Sequence, residues 1–277
     1  MKLKLFSYDQ LDTFVHRLSG FSKLVCFLLL TTAIMMTYDI RVILGITVLS
    51  YVMITVAKIR FSQIRLMLVY VSIFLIFNFF LTYIFAPEYG CEIYGTKHLL
   101  FTIAGPYTVT LEQLFYQITK LLKYLSVIPL GIIFILTTNP SEFASSLNRA
   151  GLSYKICTSL ALTLRYFPDV ADDYNTISLA QQARGLEMSG KAKMMDRIKR
   201  IAGILIPLIM TTMDRIEIIS NAMDLRGFGK HKKRTWYAAR PLGRADWLAM
   251  AVSLCVLCIS LFVRFFINHS MFYNPFI

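Results

Sequence analysis

The feature of this 277-residue sequence that most restricts its fold is a set of five long apolar runs. They cover residues 21–38, 42–57, 64–86, roughly 111–136, and 247–267. A membrane-spanning α-helix needs about 20 mostly apolar residues, so each run is long enough to cross a bilayer with some tilt and thin flanks. Only 16% of the residues are charged, whereas soluble domains carry about 25%. The sequence therefore predicts an all-α membrane protein with about five transmembrane helices.

Two shorter apolar runs, 156–164 and 201–213, are each closed by charged residues. They are too short to span and predict apolar faces of helices outside the bilayer core. We therefore expect three segments along the chain. These are a four-span transmembrane region over 1–137, a cytoplasmic helical region over 138–244, and a final transmembrane helix over 245–277.

The distribution of Lys and Arg predicts the orientation. With the N-terminus in the cytoplasm, 24 of the 29 basic residues fall on the cytoplasmic side, and only Arg41, Lys97 and Arg264 fall on the other. Lys120 and Lys123 lie in the outer part of the fourth run and are expected to extend to the outer surface. Five spans place the C-terminus outside. The basic excess thus indicates topology and contact with anionic lipids rather than nucleic-acid binding, and no cleaved signal peptide is expected.

The cytoplasmic region begins with a helix-start pattern. Asn139 is followed by Pro140, Ser141 and Glu142. Proline fits the first helical position and a carboxylate in the first turn interacts favourably with the helix dipole. A short amphipathic helix to residue 150 is predicted.

Two longer helices follow, roughly over 154–184 and 196–226. Each contains one proline, Pro168 or Pro207, which is expected to kink it. Each is followed directly by a glycine, the residue that most often comes after a helix end.

The ends of these two helices repeat each other. Residues 177–185 align without gaps on 219–227, with five of nine positions identical and an offset of 42 residues. The repeats end in Ala183, Arg184 and Gly185, and in Leu225, Arg226 and Gly227. A single arginine there is explained by its own helix dipole, worth about 0.3–1 kcal/mol. The repeated pair favours two copies of one docking element for a dimeric or pseudo-dimeric partner.

Catalytic patterns are weak in this sequence. Residues 185–191 satisfy GxxxxGK, but Ala192 follows where a phosphate loop needs Ser or Thr, and a helix precedes where a strand is needed. The four histidines are scattered, and no metal or cofactor site is expected. Asp169, Asp172 and Asp173 predict a solvated helix face. A lipid-modifying membrane enzyme and a self-sufficient permease remain as alternatives.

The chain resembles the T component (EcfT/CbiQ type) of energy-coupling factor transporters, a class of ATP-driven importers. The resemblance is carried by 137–143 with Leu147 and Gly151, by 164–168, and by the two Arg-Gly motifs. The second motif has Leu225 where the family pattern commonly has alanine.

This resemblance implies a non-catalytic subunit of an importer in the plasma membrane. Two ABC ATPase subunits, as a homo- or heterodimer, would bind ATP and magnesium, and a separate membrane-embedded S component would bind a vitamin, a vitamin precursor, or a cobalt or nickel ion. The region 138–244 would hold three coupling helices. The implied ATPase-docking residues are Ala183, Arg184, Gly185, Leu225, Arg226 and Gly227, and the implied supporting residues are Pro140, Ser141, Glu142, Arg165, Pro168 and Pro207.

Overall fold

The computed structural model describes residues 13–59, 61–104, 107–185, 194–231, 235–237 and 239–276. The helices of these described parts are α1 Phe14–Arg17, α2 Gly20–Met35, α3 Ile40–Val56, α4 Phe61–Phe85, α5 Tyr89–Tyr94, α6 Leu111–Thr137, α7 Pro140–Arg149, α8 Tyr154–Ala183, α9 Met194–Leu225 and α10 Arg244–Phe262. A π-helical turn, Val263–Ile267, extends α10. Two short strands, β1 Leu99–Ala104 and β2 Tyr107–Thr110, pair antiparallel.

Five apolar helices lie where the five apolar runs predicted them, and the fold class is confirmed. Three helical stretches of the described chain are long and apolar enough to span a membrane: Met67–Phe85, Leu111–Thr137 and Arg244–Ile267. The helices α2 and α3 are shorter, with 16 and 17 residues. At 1.5 Å per residue they reach about 25 Å, so their flanking residues must complete a crossing.

The chain divides into two compact units: residues up to Asn139 together with Arg240 onward, and Pro140–Ala239. In the first unit α2 packs against α10 and α3 packs against α6. Its main apolar cluster contains Leu30, Ala33, Ile34, Ile46 and Leu130. Only 6% of the apolar stretch of α4 is buried, against 39% of that of α6. The helix α4 therefore leaves most of its apolar surface uncovered by the described chain.

A buried carboxylate joins two helix N-termini in this unit. Asp246 accepts hydrogen bonds from the backbone N–H groups of Ser19 and Gly243, both at 2.8 Å, and from the hydroxyl of Ser22. Ser19 precedes α2 and Gly243 precedes α10. Because helix N-termini expose unpaired N–H groups and a positive dipole end, one carboxylate stabilises both ends at once.

The expectation that Lys123 extends to the outer surface is wrong. Lys123 is 5% exposed, and its Nζ donates to the backbone oxygen of Met35 at 3.2 Å. The same Nζ lies 3.6 Å from the centre of the Tyr38 ring. Lys120 donates to the Thr82 hydroxyl at 2.8 Å. A backbone acceptor and an aromatic face therefore replace the water that the Lys123 amine was expected to reach, while Lys120 is half-buried and its expected orientation stays a prediction.

The segment between α4 and α6 contains regular secondary structure, and we call residues 86–110 the cap segment. It contains α5 and the β1–β2 pair. The backbone N–H of Gly90 donates to the side-chain oxygen of Gln113 at 2.7 Å, and the Gln113 amide donates to the backbone oxygen of Ala86 at 3.1 Å. The C-terminal residues pack on this segment, since the Asn274 amide donates to the backbone oxygen of Tyr94 at 3.0 Å.

The second unit consists of α7, α8 and α9 with the chain that follows them. Trp236 donates its indole N–H to the side-chain oxygen of Asn148 at 3.0 Å within this unit. The adjoining basic residues 232–234 lie outside the described residues, as do 186–193 with the GxxxxGK pattern.

Candidate docking site

The two long helices of the second unit are antiparallel. The Tyr154 ring at the start of α8 faces the Phe228 ring just after α9, with centroids 5.5 Å apart. Further along α8, the Gln181 amide donates to the backbone oxygen of Gly203 at 3.2 Å. Residues later in α8 thus contact residues earlier in α9. The C-terminal ends of α8 and α9, with Arg184 and Arg226, consequently lie at opposite ends of the pair.

The end of α9 is closed by a complete set of helix-terminating hydrogen bonds. The N–H of Phe228 donates to the backbone oxygen of Met223 at 3.0 Å, and that of Gly227 donates to Asp224 at 2.9 Å. Gly227 has φ +68°. These are the bonds of the Schellman motif, in which a left-handed residue ends the helix. Glycine adopts this conformation without the steric penalty that a Cβ brings. Arg226 therefore sits in a fixed position just before the chain turns away.

The end of α8 has the corresponding geometry. Arg184 terminates the helix, its N–H donating to the backbone oxygens of Ala180 at 3.2 Å and Gln181 at 3.1 Å. Gly185 follows with φ +87° and donates to the backbone oxygen of Gln182 at 3.0 Å. The predicted glycine positions after both helices are therefore confirmed, and the sequence repeat is also a repeat of backbone conformation.

Both arginine side chains are exposed. Within the ranges that the structure describes, neither guanidinium belongs to an ion pair. Ala183 is also exposed, and Leu225 is 90% exposed. An arginine and a large apolar side chain presented together at a rigid helix end form a surface suited to a partner.

A basic cleft adjoins the Arg226 end. It has a volume of about 390 Å³ and is lined by Tyr154, Leu225, Arg226, Gly227, Gly229, Lys230 and His231. Arg226 and Lys230 make this cleft positive, so it favours an acidic group. The sequence signal for it is the basic residues directly after Gly229.

The predicted supporting residues lie along the helices rather than at the two ends. Pro140 is the first residue of α7, as the helix-start pattern predicted, and Glu142 is buried in the first turn. Arg165 is exposed within α8. Pro168 and Pro207 lie inside α8 and α9, which continue through them.

An ion pair between α8 and α9 was missed by the sequence analysis. Arg215 donates through Nη2 to Asp173 Oδ2 at 2.8 Å, and both side chains are 33% exposed. Asp173 is therefore only partly solvated and has a partner on α9, while Asp169 and Asp172 are exposed as the solvated face predicted. The offset of 42 residues between positions 173 and 215 was the available signal.

Reactive and metal-binding groups are sparse in the second unit. No cluster of three or more His, Cys, Asp or Glu able to hold a metal occurs among the described residues. Cys157 in α8 is buried, and this burial raises the pKa of its thiol. A buried thiol of raised pKa is a poor nucleophile at neutral pH.

The fold and the site together define a helical membrane protein with a separate unit that presents two matching arginine-bearing helix ends. A family model described as "Cobalt transport protein" (CbiQ) matches residues 12–237. The chain belongs to this family.

Named relatives agree with this assignment. The "Energy-coupling factor transporter transmembrane protein EcfT" of Leuconostoc gelidum subsp. gasicomitatum is 30% identical over 187 residues, covering 64% of this chain and 65% of that protein. The protein of the same name from Macrococcus caseolyticus is 24% identical over 272 residues, covering 95% and 98%. An ABC transporter ATP-binding protein of Bifidobacterium longum is 28% identical over 155 residues, covering 53% of this chain and 20% of that protein.

The chain is thus a transmembrane component of an energy-coupling transporter. The interpretation of the sequence as a non-catalytic transport protein, rather than a membrane enzyme, is confirmed by this family membership.

Proposed function

We propose that this chain is the energy-coupling subunit of an ATP-driven importer of the energy-coupling factor type, and that two ABC ATPase subunits dock on its two arginine-bearing helix ends. The observation that carries the proposal is the pair of matching ends at Arg184 and Arg226, exposed and without an ion pair among the described residues. One chain with two equivalent docking elements suits two ATPases. The Bifidobacterium longum relative adds support, because a protein named for ATP binding contains a segment similar to this chain.

The chemistry of the docking follows from the guanidinium group. Arginine forms two parallel hydrogen bonds to a carboxylate, a geometry that lysine lacks. We infer that each ATPase presents a carboxylate in a groove that receives one helix end. ATP and magnesium bind in the ATPases, and this chain binds no cofactor. Closure of the ATPase pair on ATP then moves both helix ends.

A membrane-embedded substrate-binding subunit completes the proposed importer. Large apolar side chains on α8 and α9 are exposed, including Phe167 at 64%, Leu179 at 66%, Met210 at 65% and Ile218 at 70%. Such surfaces mark contact sites for another protein or for lipid. Movement of α8 and α9 would reorient this subunit, which carries a vitamin, a vitamin precursor, or a cobalt or nickel ion.

The proposed location is the plasma membrane, with the N-terminus in the cytoplasm and the C-terminus outside. The excess of Lys and Arg in 138–244 supports this orientation. Lys97 of the cap segment, with an exposed side chain, would then face outside. In a cysteine-free background, a cysteine replacing Lys97 should react with a membrane-impermeant maleimide in intact cells, and a cysteine replacing Asp224 should not. The reverse labelling pattern would contradict the orientation.

The docking role is tested by replacing the two arginines. Arg184→Ala or Arg226→Ala should weaken co-purification of the ATPases in mild detergent, and the double variant should lose them. Each removed charge-assisted contact is worth about 1.5–3 kcal/mol, or roughly one to two orders of magnitude in affinity. Arg226→Lys should be intermediate, because a point charge replaces a planar fork.

Arg244→Ala is the matched control. Arg244 is also exposed, but it lies at the start of α10 rather than at the end of a helix. This variant should retain the ATPases. Full ATPase retention by the double variant at normal membrane levels would refute the docking role.

A further inference from the structure

The 42-residue repeat has a physical centre in the structure. Positions 173 and 215 lie just before the two repeats on the same continuous helices, so the 42-residue offset also relates them, and these two residues form the Asp173–Arg215 ion pair. A residue that contacts its own repeat equivalent lies on the axis that relates the two repeats. The ion pair therefore marks the approximate two-fold axis of the α8–α9 pair.

Each helix continues for the same length from this ion pair to its docking arginine, and we call these two stretches the arms. Asp173 precedes Arg184 by 11 residues, and Arg215 precedes Arg226 by the same number. At 1.5 Å per residue, each arm is about 16 Å long. Because the helices are antiparallel, the arms point in opposite directions and place the two arginines about 33 Å apart. The spacing of the docking ends thus depends on the register in which α8 lies on α9.

The ion pair is suited to fixing this register. Apolar contacts between helices are non-directional, so they tolerate sliding, whereas a polar or charged pair is satisfied in one register only. Only Nη2 of Arg215 is paired, while Nη1 is buried without a hydrogen-bond partner among the described residues. A slide of the helices would separate Nη2 from its carboxylate acceptor. Gln181 and Gly203 supply the other hydrogen bond described between the two helices.

We propose that Asp173 and Arg215 are positioning residues that keep α8 from sliding along α9, so that the two docking ends meet the two ATPases at a defined spacing. The register is a property of this chain alone. Its consequence for ATPase binding rests on the proposed function.

Spin labels at the two ends measure the spacing directly. Gln182 and Asp224 are repeat equivalents, both exposed and two residues before each arginine. We would label cysteines at both positions in the full chain, with the five native cysteines replaced by alanine, and measure their separation by pulsed electron resonance in lipid nanodiscs. The unaltered pair should give one narrow distribution.

Charge reversal is the decisive change. Asp173→Arg alone, or Arg215→Asp alone, faces like charges across the interface and should broaden the distribution or shift it by about 5 Å, one helical turn. The exchange of both residues, Asp173→Arg with Arg215→Asp, should restore the narrow distribution. Arg215→Lys should keep it, since one N–H donor is enough for the observed bond. Asp173→Ala serves if a reversed variant does not yield a monodisperse protein, and should also broaden the distribution because it removes the acceptor.

The outcomes separate this proposal from the docking role. Unchanged distances in the reversed single variants and in Asp173→Ala, or no restoration by the exchange, would overturn the positioning role. This measurement needs no ATPase, so it stands even if the arginine variants above retain their ATPases. If both proposals hold, reversed variants should lose ATPases during purification, because two linked contacts bind together only when their spacing fits, and the exchanged variant should retain them.

Discussion

Single charged residues within apolar helices are held by backbone groups from distant parts of the chain. Lys123 donates to the backbone of Met35, 88 residues earlier, and Asp246 accepts from Ser19, 227 residues earlier. The sequence places these charges along the chain but carries no local signal for such partners. For this reason the sequence analysis could place Lys123 in the fourth apolar run but was wrong about the direction in which its amine points.

Asp246 should matter for the stability of the first unit. Asp246→Ala removes the acceptor for two N–H groups at the starts of α2 and α10, and replacing an N-terminal cap costs about 0.5–2 kcal/mol for each helix. We expect a lower melting temperature in detergent, with Asp246→Asn between this variant and the unaltered protein because an amide oxygen still accepts. The exposed Asp169 supplies the control, and Asp169→Ala should melt unchanged. Equal melting of both alanine variants would contradict the role of Asp246.

At the scale of helices and turns, local sequence patterns predicted the elements well, but they did not predict which distant residues pair. The helix predicted over 154–184 is Tyr154–Ala183, because its start, amphipathic pattern and terminal glycine are all encoded within it. The register between α8 and α9 depends on residues 42 apart, and no local pattern specifies it. The kinks expected at Pro168 and Pro207 stay predictions.

The sequence analysis did not predict the secondary structure of the cap segment. Gly90 is the position at which the packing of this segment on α6 can be tested. A Cβ at Gly90 would lie 2.6 Å from the Cα of Gln113, a backbone atom that cannot rotate away. Gly90→Ala should therefore displace α5 from α6 and destabilise the first unit by about 1–3 kcal/mol, the usual cost of overpacking.

Gly45 in α3 is the matched control for this change. A Cβ there meets nothing within 4 Å, and alanine favours the helical state over glycine by about 1 kcal/mol. Gly45→Ala should leave the melting temperature unchanged or raise it, while Gly90→Ala lowers it. The same melting temperature for Gly90→Ala and the unaltered protein would show that the cap segment does not pack on α6 as described.

For the whole molecule, membership of the family and the large uncovered apolar surfaces both favour a chain that works together with partner subunits. The helix α4 is scarcely buried by the described chain, and α8 and α9 expose large apolar side chains. Apolar periodicity predicted the helices themselves, but surface left open for partners is visible only once the packing within the chain is known. We expect these surfaces to be covered by partner subunits, so the subunit composition of the purified complex is the decisive measurement.

The proposed importer contains one copy of this chain, two ATPases and one substrate-binding subunit. Native mass spectrometry of the complex, purified from its own host in mild detergent, should give this composition. A self-sufficient permease would instead bring two copies of the chain to the ATPase pair, since each copy of a symmetric dimer needs only one docking end. Met210→Glu places a charge on the exposed apolar surface of α9 and should remove the substrate-binding subunit while both ATPases remain. The double arginine variant should show the opposite loss. Two copies of the chain in the intact complex would contradict the coupling role, because four docking ends would then face two ATPases.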